Sequence, residues 1–224
     1  MHLKKIILFL VLVFCVASLY AQTAKPPFYD EVMAFKKKDS LTPPPENAIL
    51  FVGSSSFRKW TDAEQIFKDY PVVNRGFGGS SLPDVIRYAD DIIFPYQPRQ
   101  ILIYCGDNDL AASDTVSVGM VAQRFRQLFS LIRSRLKTVS IAFVSIKPSP
   151  ARKHLMPKMA DANRLIKQFL RKQKKTGFID VYHPMLLPGG YPNGALFESD
   201  SLHMLPAGYA IWKEKIEPVL IKRK

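Results

Sequence analysis

Two cysteines are all this 224-residue chain has, and the first, Cys15, sits inside an apolar N-terminal run. Bulky Phe14 precedes it where a lipid-attachment signal wants a small residue, so a lipid anchor is not expected. Without Cys15, Cys105 has no partner for an internal disulfide, and packing alone must hold the fold. Long apolar stretches are equally scarce. Ile6 to Val16 is unbroken, yet it falls short of the roughly 18 to 20 residues that a membrane span needs. His2, Lys4 and Lys5 precede it, and small residues lead to Ala21-Gln22. That is the layout of a secretory signal peptide. Residues 1–21 are therefore expected to be removed and the chain exported, periplasmic or secreted, with a retained anchor as the alternative.

Acidic residues are in deficit too, 19 against 32 lysines and arginines, for a net charge of +13. Lys4 and Lys5 would leave with the leader. Much of the remaining excess lies in Arg124 to Lys137 and Arg152 to Lys175, read as amphipathic helices with the charges on the outer face. Such a face is ordinarily just solvated; weak attraction to anionic surfaces is the sharper reading. No aromatics interleave on it as a stacking platform would require, so no nucleic-acid partner is expected. The glycine-rich stretch Gly76 to Gly79 lacks both the dinucleotide spacing and the Lys-Ser/Thr pair of a phosphate loop.

Residues 22–224 suit a single domain. A helix is expected over Pro27 to Asp39, ended by Pro43-Pro44-Pro45. Short apolar runs follow at Ala48–Val52, Val72–Asn74, Ile101–Cys105, Val139–Ile146 and Phe178–Tyr182. They are rich in Val, Ile and Phe and apolar on both faces, as buried parallel strands are. Between and after them, Val118 to Leu136, Met156 to Leu170 and Pro206 to Ile216 read as helices; in the first two, apolar residues recur at three- and four-residue steps. This alternation predicts an α/β fold, a parallel sheet covered on both faces by right-handed crossovers. Ligand sites in such folds lie beyond the carboxyl ends of the strands.

Those ends carry the chemistry. The first strand runs into Gly53-Ser54-Ser55-Ser56, a turn that exposes a hydroxyl and aims backbone N–H groups outward, or simply a helix cap. The second ends in Gly76-Phe77-Gly78-Gly79-Ser80, where glycines let the backbone approach a ligand. The third ends in Gly106-Asp107-Asn108-Asp109. Asn108 could donate to a developing oxyanion, and the two acids are too few to make a metal site. Late in the chain, Asp200-Ser201-Leu202-His203 puts a carboxylate three residues before an imidazole, close enough to fix its tautomer. His154 and His183 are passed over, read as lacking an Asp at this spacing.

These four blocks, in this order, resemble those of the SGNH (GDSL-like) hydrolases along nearly all of residues 22–224. The family's Gly-Asp-Ser resembles Gly53-Ser54-Ser55, with Ser54 where the family has Asp; its second-block glycine is similar to Gly79; its Gly-x-Asn-Asp matches Gly106 to Asp109; its Asp-x-x-His matches Asp200 to His203. The resemblance implies a three-layer α/β/α sandwich with a five-stranded parallel sheet of flavodoxin-like SGNH type. It also implies a serine esterase that needs neither metal nor organic cofactor. Ser55 would be the nucleophile, His203 the base and Asp200 its orienter, with Ser55, Gly79 and Asn108 forming the oxyanion hole. Ester hydrolysis of a short acyl group, such as acetyl on a glycan or small molecule, is expected. The alternatives are acyl release from lipid, or an anion-binding module without turnover. Phe57, Trp60 and Phe77 flank the site and could line a substrate pocket or belong to the core.

Overall fold

The computed structural model describes residues 25–222. The leader reading, Cys15 included, lies outside the described residues. Five strands, β1 (Ile49–Gly53), β2 (Val72–Gly76), β3 (Gln100–Tyr104), β4 (Ser140–Val144) and β5 (Thr176–Ile179), form one sheet in the order β2-β1-β3-β4-β5. Every pairing is parallel. The helices are α1 (Tyr29–Leu41), α2 (Ser55–Arg58), α3 (Ala63–Ile66), α4 (Leu82–Arg87), α5 (Ala89–Ile92), α6 (Asp107–Ala111), α7 (Val118–Arg135), α8 (Met156–Leu170) and α9 (Pro206–Ile216). Among the described residues no helix is long and apolar enough to cross a membrane.

The period of two along each strand divides the core into two halves. Leu50, Val52, Ile101, Ile103, Ile141 and Phe143 face one side and pack with buried residues of α1, α4, α5, α7 and α8. Ile49, Phe51, Leu102, Tyr104, Ala142 and Val144 face the other, against Phe57, Trp60, Phe67 and, from α9, Trp212 and Ile216. The central strands β1, β3 and β4 are thus largely apolar on both sides because each side meets a helical layer. This is the expected α/β/α sandwich with a five-stranded parallel sheet.

β1, β3, α1 and the end of α7 lie within two residues of expectation, and the other three strands also shift. β2 runs two residues further, to Gly76, and β4 is confined to Ser140–Val144. β5 lies earlier than Phe178–Tyr182, because the N–H groups of Val181 and Tyr182 leave the ladder and donate to the Ser145 Oγ at 2.9 and 3.0 Å. Arg124 and Arg152 depart from the outer-face reading. Arg124 turns inward to the fully buried Asp109, 2.8 Å away. Arg152 lies in a 3₁₀ stretch, Pro150–Leu155, and reaches Asp107 at 2.9 Å.

The strand order reverses at β1: the chain steps from β1 out to β2, then returns to lay β3 on β1's other side. The crevice beyond the carboxyl ends of β1 and β3 is where a ligand enters a sheet of this topology. Ser55 and Asn108 follow those two ends.

Candidate active site

At the end of β1, Gly53 has φ +132°, and a Cβ there would lie 1.9 Å from the Tyr104 carbonyl oxygen. Only glycine lets β1 turn so close to β3. Ser54 then closes the turn by donating its N–H to that same carbonyl at 2.9 Å. Ser55 opens α2, and its Oγ lies 3.1 Å from His203 Nε2. The two are 148 positions apart in the chain. The Tyr209 hydroxyl on α9 keeps them together by donating to the Ser56 carbonyl at 2.9 Å.

His203 reaches this position from a tight turn. Asp200 Oδ1 accepts the N–H groups of Leu202 and His203, each at 2.9 Å, and Ser201 takes φ +57° to allow it. Asp200 Oδ2 then lies 2.5 Å from His203 Nδ1. The His203 N–H, foremost, holds the Asp200 carboxyl well below the usual carboxylate range. An ionised carboxylate at Nδ1 keeps the ring proton there, so Nε2 is free to accept from the Ser55 hydroxyl.

Opposite, Asn108 Nδ2 donates to Ser54 Oγ at 2.6 Å and to the Ser80 carbonyl at 3.1 Å. Gly79 borders the same amide: a Cβ on it would lie 3.8 Å from Asn108 Nδ2. The amide's orientation is set by Arg152, whose Nη2 donates to Asn108 Oδ1 at 2.8 Å. A guanidinium only donates, so the oxygen must face it and the NH₂ must face the serines. The Arg152 guanidinium also pairs with Asp107, as does Lys147 at 3.7 Å. Lys147 is buried, and that burial lowers its ammonium against the opposing pull of Asp107. Neither acid of the third block is free for a cation, since Asp107 serves Arg152 and Asp109 serves Arg124 and the Leu82 N–H.

The structure joins Ser55, His203 and Asp200 in one chain of contacts and sets Asn108, with Gly79 beside it, on the adjacent Ser54. Phe57 and Phe77 are fully buried and form no pocket wall, their rings packed against core rings such as Phe51 and Tyr88. Trp60, 1 % exposed and stacked on Tyr209, shows an edge to two surface cavities, one of about 490 Å³ that Glu198, Met204 and Tyr209 also line. Arg152 and Lys147 are participants that the sequence reading missed; no local period marks a contact with a residue 44 positions away. That reading also passed over His183 as lacking a suitably spaced carboxylate, which is a misreading. Asp180-Val181-Tyr182-His183 repeats the spacing, and His183 Nδ1 lies 2.6 Å from Asp180 Oδ2. This second pair borders a cavity of about 290 Å³, but the serine lining that cavity, Ser145, is buried with its Oγ committed to two backbone N–H groups. Glu198, Asp200 and His203 could each offer a ligand atom within 4.8 Å of the others. The last two already bind each other, and Glu198 is paired with Lys59 at 2.7 Å.

Comparison with known proteins bears on the fold and the family. Solved structures with the same fold include a GDSL-like lipase from Bacteroides thetaiotaomicron, 18% identical, TM-score 0.69, covering 84% of this chain and 95% of that one. A lipase/acylhydrolase from Enterococcus faecalis is 15% identical, TM-score 0.62, covering 79% and 99%. An acetylxylan esterase from Geobacillus stearothermophilus, solved as a catalytic mutant, is 16% identical, TM-score 0.61, covering 77% and 93%. No curated protein sequence is detectably similar. The family model described as GDSL-like Lipase/Acylhydrolase matches residues 39–211, well over half of the chain, so this protein belongs to the GDSL-like lipase/acylhydrolase family, whose members are hydrolases acting on esters.

Proposed function

We propose that the chain is an exported serine esterase that removes short acyl groups, acetyl foremost, from carbohydrate or small-molecule esters. The observation that carries the reading is the continuous relay Ser55 Oγ, His203, Asp200, with contacts of 3.1 and 2.5 Å. Ser55 Oγ attacks the ester carbonyl as His203 Nε2 takes its proton. The tetrahedral intermediate collapses, the C–O bond to the alcohol breaks, and His203 returns the proton to the departing oxygen. Water then attacks the acyl-enzyme with His203 again as base, releasing the acid and restoring Ser55. Backbone N–H groups of Ser55 and Gly79 and the Asn108 amide stabilise the oxyanion.

A short acyl group is favoured by what surrounds the serine. Ser54, Asn108, Arg152 and Asp107 are polar, while the neighbouring aromatics Phe57 and Phe77 are consumed by the core and Trp60 offers only an edge. A fatty chain would need an apolar channel from those side chains. Ester hydrolysis of acetylated glycan is also the activity named for one structural neighbour. Export rests on the leader pattern of residues 1–21.

The test pairs a fluorophosphonate probe, which reacts only with an activated serine, with nitrophenyl esters of increasing chain length and acetylated xylo-oligosaccharides. Labelling should vanish in Ser55→Ala and persist in Ser54→Ala and Ser56→Ala, and rates should fall beyond the shortest acyl chains. Absence of labelling in the wild type would favour a non-catalytic binding module. A maximum at long acyl chains would favour a lipid acylhydrolase.

A further inference from the structure

We infer that Glu31, on helix α1 and outside the stretch matched by the family model, is a positioning residue that sets the spacing between the two backbone N–H donors of the oxyanion hole. The inference rests on the oxyanion reading just given. The two donors belong to separate segments: Ser55 begins α2 after β1, and Gly79 follows β2. One carboxylate oxygen touches both segments. Glu31 Oε2 accepts the Gly78 N–H at 3.0 Å, one residue before Gly79. It also pairs with Arg58 Nε at 2.9 Å, three residues after Ser55 on the same short helix.

The glycine loop is held at that point from a second direction. Gly78 has φ +34°, and a Cβ there would meet the Phe28 ring at 2.3 to 2.4 Å. Phe28 caps α1 in the left-handed region, φ +66°, a conformation that a bulky residue adopts only when its surroundings impose it. Its ring packs edge-on against Phe77 at 5.5 Å. The start of α1 is anchored independently by the Tyr88 hydroxyl, which donates to the Pro27 carbonyl at 2.6 Å. Further along, Asp39 accepts from both Arg75 and Tyr96. The clamp therefore stands on a rigid base rather than on a loose arm.

Electrostatics cannot be its purpose. Glu31 and Arg58 side chains are 34 and 54 % exposed, and ion pairs so exposed contribute little to stability. Geometry is a different matter, because a displacement of about 1 Å in a reacting constellation can cost 10²-fold in rate. Removing the acceptor frees the loop while the fold keeps its other anchors. Rate and stability should therefore separate.

The experiment compares Glu31→Ala, Glu31→Gln and wild type on nitrophenyl acetate, with fluorophosphonate titration of active sites and a thermal melt on each preparation. In Glu31→Ala, kcat per titrated site should fall on the order of 10-fold, with KM within about twofold, as expected for a loosened rather than deleted donor. Glu31→Gln keeps an oxygen for the Gly78 N–H and should recover to within about threefold of wild type. An unchanged kcat in Glu31→Ala overturns the inference. So does a loss that tracks the titrated fraction and the melting temperature, since that marks support of the fold alone. A Glu31→Gln as slow as Glu31→Ala also overturns it, since charge and not the acceptor would then matter. If the wild type itself takes no probe, the serine esterase reading has failed and the clamp with it. The two failures are therefore distinguishable.

Discussion

Asn108 separates rate from stability more sharply than any other residue of the site. Its amide makes three hydrogen bonds: Nδ2 to Ser54 Oγ and to the Ser80 carbonyl, and Oδ1 from Arg152. Removing the amide in Asn108→Ala deletes all three, each worth about 1 kcal/mol net. Arg152 keeps Asp107 and Ser54 can turn its hydroxyl, so the net loss should be about 1 to 2 kcal/mol. For a domain of this size that is a fall in melting temperature of roughly 2 to 8 °C. Turnover should suffer far more. An oxyanion donor acts only as charge develops, and its removal costs about 10² to 10³ in kcat, roughly 3 to 4 kcal/mol, with KM nearly unchanged. Asn108→Asp sharpens the test. The new carboxylate keeps the contact with Arg152 but can no longer donate to the Ser80 carbonyl, and its negative charge faces the oxyanion, so the rate should fall at least as far as in the alanine variant. The assay is steady-state kinetics on nitrophenyl acetate beside a thermal melt of the same samples. If either variant kept kcat within tenfold of wild type, Asn108 would not be an oxyanion donor.

Three further outcomes are expected. His203→Ala should lower turnover by several orders of magnitude, whereas His183→Ala, from the pair with the same local geometry but no poised serine, should leave the rate within about twofold by the same assay. A pH–rate profile should fall on the acid side, as for any reaction that needs an unprotonated general base. Asp200 is not the group titrating in that limb: with its pKa held low by the His203 N–H, it stays ionised, and its contribution to stability is present above the ordinary carboxylate range and lost only as pH falls through that lowered value. A rate flat from about pH 5 to 8 would argue against a histidine base. Trp60→Ala removes an almost fully buried ring stacked 5.0 Å from Tyr209 and should cost about 3 to 5 kcal/mol in denaturant unfolding, without altering acyl chain-length preference; a shifted preference would mean that Trp60 contacts the acyl group.

Much of the architecture was legible in the sequence because it is written in local periods. The bounds of α8, Met156–Leu170, and α9, Pro206–Ile216, agree with the sequence reading to the residue. Two-faced apolar runs identify buried parallel strands because each face must meet a helical layer. The composition of the four strand-end blocks is also local, and it marks Ser55, Gly79, Asn108, Asp200 and His203 as a set. Local pattern failed where a side chain intervened, as when the Ser145 hydroxyl drew Val181 and Tyr182 out of the β5 ladder. It failed again where one pattern had two outcomes. Asp180-Val181-Tyr182-His183 and Asp200-Ser201-Leu202-His203 make the same carboxylate–imidazole contact, though only the second turn places its next residue, Ser201, at positive φ. Only the packing of α9 against α2, through Tyr209 and Ser56, brings the second imidazole to the serine.

By itself, then, the sequence determined the layering, the succession of elements and the set of residues proposed to carry acyl transfer. Which imidazole meets the serine, whether Phe57, Trp60 and Phe77 line a pocket or fill a core, and which charges turn inward were decided by the tertiary structure. The physical reason is separation along the chain. Arg152 orients Asn108 across 44 positions and Glu31 grips Gly78 across 47. A period of two or 3.6 residues reports which face of an element is buried, but not which distant side chain it will meet there.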